Sequence, residues 1–576
     1  MSIRGFNGRF AQKLLVLKDG RSIYSPLFSG VVWEAEDMVL SDIERIEVIR
    51  GPSAAMWGSN AVNGVINIIT RNAAATPGTE VIASTATDEA GNVTLRHGFA
   101  LGDGSVRLSA KGFDLDPAKT RSGEDGNDGW RASRIGLRGD WPAAEGGQWI
   151  VTAEAYQSRA DDRLDFSRYS RVPPLFDVTQ LNTGSNVQLR RERPTADGGQ
   201  FDWQVSAETT VVDLPSISRE ERNTVAAEFQ QRLPVGAHDL LWGASYRFST
   251  DEIRVPAESI LVASLFNRPQ RDWQLASVFV HDDYTLIPER LQLSGGARVD
   301  YDSWSGTQVQ PDLRLAYTPD SDTTWWTSLA RAARTPSRSE QDLPFTFSST
   351  PAVPPFQPAV TTLRLASAPD SLKAETVTSL EAGWRSRVNA SLSLDVSAFV
   401  SDYSNLITTI SQPVQFVPPA QVIVPVLSIN EASARTHGFE VAADWQVSSG
   451  WRLQAHYSRL YLSSARLTDP AAAEMQALWQ GRVARDRASL RSTWTLGQGH
   501  QLDMWLKYTS ALAYPQVPAY ATLDVRYAFP LGPKADVAII GQNLIGGRHS
   551  EFVSDYLPSR QTEIGRSLMV KGTWRF

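Results

Sequence analysis

Cysteine is absent from all 576 residues, which removes disulfides, thiolate zinc sites, iron–sulfur clusters and thiol nucleophiles together. Long apolar runs are missing as well. Stretches such as Leu14 to Leu17 and Val422 to Leu427 fall far short of the roughly 20 consecutive apolar residues that a membrane-spanning helix needs. With a mean hydropathy of -0.26, the chain is not a bundle of transmembrane helices. It also has no excess of positive charge: 56 Lys and Arg stand against 63 Asp and Glu, for a net charge of -7. That balance argues against a nucleic-acid partner. The opening residues Met1 to Phe6 carry none of the charge and apolar pattern of a secretory signal. Chemistry is equally sparse. The seven histidines at 97, 238, 281, 437, 456, 500 and 549 are scattered, and neither His-Glu-x-x-His nor Gly-x-Ser-x-Gly occurs. The acidic run Glu124 to Gly129 lacks the ligand spacing of an EF-hand loop. No enzyme, metal site or cofactor is expected.

What the chain does have is aromatic surface, 18 Trp, 15 Tyr and 21 Phe, far more than a disordered polymer carries. It also has a persistent period of two. At the C-terminus Leu568, Val570, Gly572, Trp574 and Phe576 alternate with Ser567, Met569, Lys571, Thr573 and Arg575. The same dyad recurs at Leu502 to Tyr508, Ala519 to Phe529, Trp451 to Tyr457, Leu392 to Val400 and Leu291 to Tyr301. Each such segment reads as a strand between two solvents. A soluble sandwich would alternate too, but with strands of about 5 or 6 residues. These are about twice that length, which is what a transmembrane barrel requires, apolar toward lipid and polar toward the lumen. Residues 76–576 divided over 22 strands leave roughly 23 residues per strand and connection, whereas a porin of 16 to 18 strands would need longer loops. The expected fold is therefore an all-β transmembrane barrel of 22 antiparallel strands. Long loops are expected at Arg159 to Gly199, Thr250 to Arg271, Gln341 to Ser371 and Ser411 to Ser428. On the last strand, Leu568, Val570, Trp574 and Phe576 should face lipid and Lys571, Thr573 and Arg575 the lumen, with closure onto a first strand near Glu80 to Thr87.

Residues 1–75 differ in texture. Leu14 to Leu17, Ile43 to Ile49 and Val65 to Ile69 are short mixed strands separated by glycine-rich turns. The glycines of Gly51 to Gly64 do not form a phosphate cradle, because no Gly-Lys-Ser/Thr follows.

The stretch Ile43-Glu44-Arg45-Ile46-Glu47-Val48-Ile49-Arg50-Gly51-Pro52, continued by Trp57-Gly58-Ser59-Asn60-Ala61-Val62-Asn63-Gly64-Val65-Ile66-Asn67-Ile68-Ile69-Thr70, resembles the latter half of the plug of TonB-dependent outer-membrane receptors. Barrel segments resemble the same family in the same order: Arg334-Thr335-Pro336, Leu372-Lys373-Ala374-Glu375, Asp402-Tyr403-Ser404-Asn405-Leu406-Ile407, Gly438-Phe439-Glu440, Ala519 to Asp524 and Asn543-Leu544. The resemblance implies a partial plug domain at 1–75 inside the lumen of a barrel at 76–576. Met1 falls within the plug pattern, so the signal peptide, the TonB-contacting box and the first half of the plug are expected upstream of it.

The resemblance further implies a protein of the Gram-negative cell outer membrane that takes up a scarce nutrient with energy from TonB. The cargo it implies first is a ferric siderophore, with cobalamin, another metal chelate or an oligosaccharide as alternatives. The terminal Phe576 is similar to the signal read by the barrel-assembly machinery. A passive or vestigial channel, or a purely adhesive surface barrel, is the reading of a different class. Two sets of residues follow from the family pattern. Arg4 and Arg50 of the plug should meet Glu375 and Glu440 of the barrel as a charged lock; otherwise the two glutamates are wetted lumen residues with unrelated partners. Arg21, Tyr24, Phe28 and Trp33 lie at the plug apex, where they either contact an anionic chelate or pack the plug against the barrel wall.

Overall fold

The computed structural model describes residues 3–165, 175–215, 217–256, 268–343, 345–350, 359–365, 371–418, 421–465, 467–554 and 557–576. Its N-terminal part is a four-stranded sheet of Leu14–Lys18 (β1), Arg21–Ser22 (β2), Ile43–Arg50 (β3) and Gly64–Thr70 (β4), in the order β2-β1-β4-β3. The pair β1 and β4 is parallel, the others antiparallel. A parallel strand covered on both faces needs an unbroken apolar run, and β1 supplies Leu-Leu-Val-Leu, all buried. Asp19 closes the turn after it: its carboxylate accepts the amide of Thr70 at 2.8 Å and the hydroxyl at 2.9 Å, which ties the β1–β2 corner to the end of β4.

Among the described residues, 22 antiparallel strands close into a barrel around this sheet. No helix is long and apolar enough to cross a membrane. The first barrel strand, Gly78–Ala86, pairs with the last, Ser567–Arg575, from Met569 opposite Ala86 to Arg575 opposite Glu80. Closure leaves no free edge. Leu568, Val570, Trp574 and Phe576 are exposed on the outer surface, whereas Thr573 is buried and Arg575 bonds Asp536 at 2.8 Å and Glu80 at 3.2 Å. Val570 sits near the middle of its strand, opposite Ile539 and Thr85. Val570→Arg is expected to destabilise the barrel by about 2–4 kcal/mol, while Lys571→Arg, on the opposite face, is expected to leave it unchanged; urea unfolding in lipid vesicles measures both.

Short connections such as 102–103, 236–237, 321–322 and 390–391 lie at the end that holds Gly78 and Phe576, and the long ones, 335–374, 465–485 and 543–566, at the other. In outer-membrane barrels the short turns are periplasmic, so the long connections face outward. Two of the expected long loops are largely strand. Arg159 to Gly199 falls mostly within Gln148–Asp165 and Leu175–Pro194, with 166–174 outside the described residues. Within Ser411 to Ser428, residues 415–417 form a short strand and Gln421 begins a 28-residue one, Gln421–Ser448. A bilayer takes about 9–11 strand residues, so these strands continue well above the membrane, where water on both sides erases the apolar contrast that marks a strand in sequence. Of Thr250 to Arg271 and Gln341 to Ser371, residues 257–267, 344, 351–358 and 366–370 lie outside the described residues.

Candidate functional site

The segment Trp57 to Gly64 docks the plug onto the barrel with short polar side chains. Asp300 accepts both the amide (3.0 Å) and the hydroxyl (2.5 Å) of Ser59. Asn60 Oδ1 accepts the amide of Thr335 at 3.0 Å. Asn63 Oδ1 accepts the Tyr403 hydroxyl at 2.7 Å, and its Nδ2 donates to the Ile3 carbonyl at 2.9 Å. Buried polar groups must be bonded, and here each side supplies what the other lacks.

The structure brings three of the four expected lock residues together. Arg4 donates from Nη1 to Glu381 at 2.7 Å and from Nε to Glu440 at 3.4 Å, with its guanidinium 4.0 Å above the Phe399 ring. Arg50 reaches the same Glu440 at 2.5 Å. Glu375 is not part of this cluster. It receives Lys13 Nζ, Arg334 Nε at 2.6 Å and the Ile407 amide at 2.9 Å. The reason is depth: Glu375 is the outermost residue of the strand Glu375–Asn389, and Arg4 lies lower, level with a position six residues and roughly 20 Å farther along. Glu381 holds that position on the same lumen face. Alternation counted on from Glu375 places Glu381 there, a signal present in the sequence but not used; nothing comparable marked Lys13 or Asp300.

Gly51 explains the Arg-Gly step. Its φ is +86°, and a Cβ at this position would stand 2.0 Å from Glu381 Oε1 and 2.9 Å from Arg4 Nη1. Only glycine permits both the backbone conformation and this approach.

The apex is covered. Tyr24 and Phe28 are 8% and 9% exposed. The outer segment from Thr335 into the short helix Arg338–Asp342 sits on them: the amides of Arg338 and Ser339 donate to the carbonyls of Pro26 (2.9 Å) and Leu27 (3.0 Å), and Ser29 Oγ donates to the Thr335 carbonyl at 3.1 Å. Phe28 stacks on Phe10 at 4.3 Å. Arg21 is buried beside Glu208, 3.0 Å away, and Trp33 packs against Ala11, Leu14, Val16 and Val31. In this conformation none of the four is presented to the exterior, and the packing reading describes their contacts.

Burial also pushes the Tyr24 hydroxyl up to about 12 from the ordinary 10.0. The folded state thus holds a proton that the unfolded chain releases near 10.0, so the contribution of this ring is present in full below pH 10.0 and is lost between pH 10.0 and about 12. Tyr24→Phe cannot ionise. Its apex amides are expected to exchange hydrogen more slowly than those of the parent at pH 11, with no such advantage at pH 8.

Three kinds of likeness agree with this architecture. Residues 81–544 match the family model described as TonB dependent receptor-like, beta-barrel, and residues 1–65 match the TonB-dependent receptor plug domain. The iron-regulated outer membrane virulence protein of Vibrio cholerae is 26% identical over 487 residues, covering 80% of this chain and 69% of that one. The vitamin B12 transporter BtuB of Vibrio vulnificus is 35% identical over 112 residues, 19% of this chain and 18% of that one. The crystal structure of the siderophore receptor PirA from Acinetobacter baumannii superposes with a TM-score of 0.78 at 15% identity, over 100% of this chain and 92% of that one. With its barrel matched over most of its length and its plug seated in the lumen, the chain belongs to the TonB-dependent receptors of the Gram-negative outer membrane, a family of receptors and transporters rather than enzymes.

Proposed function

We propose that this receptor takes up a scarce nutrient by TonB-coupled transport and that its cargo is a ferric siderophore. The observation that carries the reading is a plug held by charged contacts that water can replace. The Arg4–Glu440 cluster borders a cavity of about 50 Å³, also lined by Arg459 and Arg487. That is room for a few waters, each of which needs about 10–15 Å³. Buried pairs are strong only while dry, so pulling on the plug can exchange them for hydrated charges without breaking the barrel. Support for iron comes from the iron-regulated V. cholerae relative, whose similarity runs along most of the chain, against the short segment shared with the B12 transporter.

In this reading cargo binds at the outer mouth and displaces the Thr335–Asp342 clasp. Tyr24 and Phe28 then become contacts for the chelate, while Arg21 and Trp33 remain part of the plug's packing. TonB is the energy-coupling partner, and the barrel-assembly machinery recognises Phe576. Titration of the purified protein with ferric catecholate and ferric hydroxamate chelates, followed by quenching of tryptophan fluorescence, is expected to show saturable binding of one class. Binding of cyanocobalamin with no response to any ferric chelate would overturn the cargo.

A further inference from the structure

The plug sheet crosses the lumen with one long edge uncovered. Strand β3 pairs only with β4, and along it Ile46 and Val48 are 53% and 55% exposed, close to the exposed Glu44 and Arg45. Its two ends fix where that edge points. Just before β3, the Ser41 carbonyl accepts Arg96 Nη1 at 3.2 Å on barrel strand Glu89–Leu101, and at its other end Arg50 meets Glu440. Going round the barrel between these anchors, the wall opposite the edge is built from Asp486–Thr495, Gln501–Thr509, Tyr520–Pro530, Ala535–Gln542, Ser567–Arg575 and Gly78–Ala86.

The lumen face of that wall is wet. Trp505 points inward, in register with Arg491 and Asp524, while its neighbours Leu506 and Met504 face lipid beside Leu490, Leu523 and Val525. Yet its indole is 43% exposed. A tryptophan inside a filled lumen would be among the most covered side chains. Around it the charges pair along the wall itself: Arg491 and Arg526 with Asp503 at 3.2 and 3.0 Å, and Lys507 with Asp524 at 2.6 Å.

We propose that the space between the β3 edge and this wall is a permeation lane for hydrated ions of both signs, open in the folded 576-residue protein without cargo or energy. The mixed charges of wall and edge give it no selectivity by sign. The inference is independent of the uptake reading, because current is measured with neither cargo nor TonB present.

The chain's lack of cysteine makes the test direct. Purified protein is inserted into planar bilayers in potassium chloride, and the variants Trp505→Cys, Lys507→Cys and, on the lipid face, Leu506→Cys are treated with a negatively charged, water-soluble methanethiosulfonate. A steady ohmic current is expected, with a reversal potential near zero in a salt gradient. Modification should lower it by at least a third in Trp505→Cys or Lys507→Cys and leave it unchanged in Leu506→Cys. Current no greater than that of the bare bilayer, or current equally insensitive in both lumen variants, overturns the lane.

Discussion

Replacing Glu375 by alanine is expected to loosen the plug more than any other single change at the interface. The side chain is 5% exposed and accepts from two cations, Lys13 and Arg334, and from the Ile407 amide. Removing it strands both positive charges where water has little access, and breaking a buried pair by deleting one partner costs about 3–5 kcal/mol. Arg334 keeps Glu340, at 2.8 Å, so the uncompensated charge is mainly Lys13. The effect should appear as local opening of the plug with the barrel intact, since Lys13 leads directly into β1. Hydrogen exchange at Leu14–Lys18 is expected to accelerate by two orders of magnitude or more, with strands remote from the plug, such as Tyr520–Pro530, unchanged. Lys13→Met combined with Glu375→Ala removes the stranded charge and should restore much of the protection.

Gly51→Ala should come close to the same magnitude by another route. The methyl group meets Glu381 Oε1, and the residue must hold φ +86°, a conformation that costs a non-glycine residue about 1–3 kcal/mol. Expelling Glu381 leaves Arg4 with Glu440 alone, at 3.4 Å. Together these effects amount to roughly 3–5 kcal/mol. A double-mutant cycle separates clash from strain: if Glu381 is the obstacle, Gly51→Ala adds less in a Glu381→Ala background than in the parent, where full additivity would assign the whole loss to backbone strain. Glu440, shared by Arg4 and Arg50, contributes less per contact, because Arg50 is about two-fifths exposed and exposed pairs are worth about 0–1 kcal/mol.

The barrel was legible because lipid on one side and polar lumen on the other write a period of two into each strand, as Leu568 to Phe576 shows. The closure of that strand onto Glu80 to Ala86 followed from the need to leave no edge. Above the membrane the contrast vanishes, and Leu175–Pro194 and the first part of Gln421–Ser448 read as loops although they are strands. At the interface, residue types were readable but depth was not. Arg4, Arg50 and Glu440 meet, whereas Glu375 and Glu381 share a face and differ only in height along one strand. The cover over Tyr24 and Phe28 could not be read locally, since it comes from Thr335 to Asp342, about three hundred residues away in the chain. An aromatic at a plug apex looks alike in sequence whether it faces solvent or a clasp.

Coupled uptake of iron is the central claim, and transport of radiolabelled ferric siderophore into cells tests it most directly. The protein is expressed in a Gram-negative host lacking its own siderophore receptors, and uptake is followed with and without a protonophore and in a strain without TonB. Saturable accumulation is expected that collapses when the proton gradient or TonB is removed, while binding at the cell surface persists. Accumulation that continues unchanged without either, or ferric siderophore that neither binds nor enters, would contradict it.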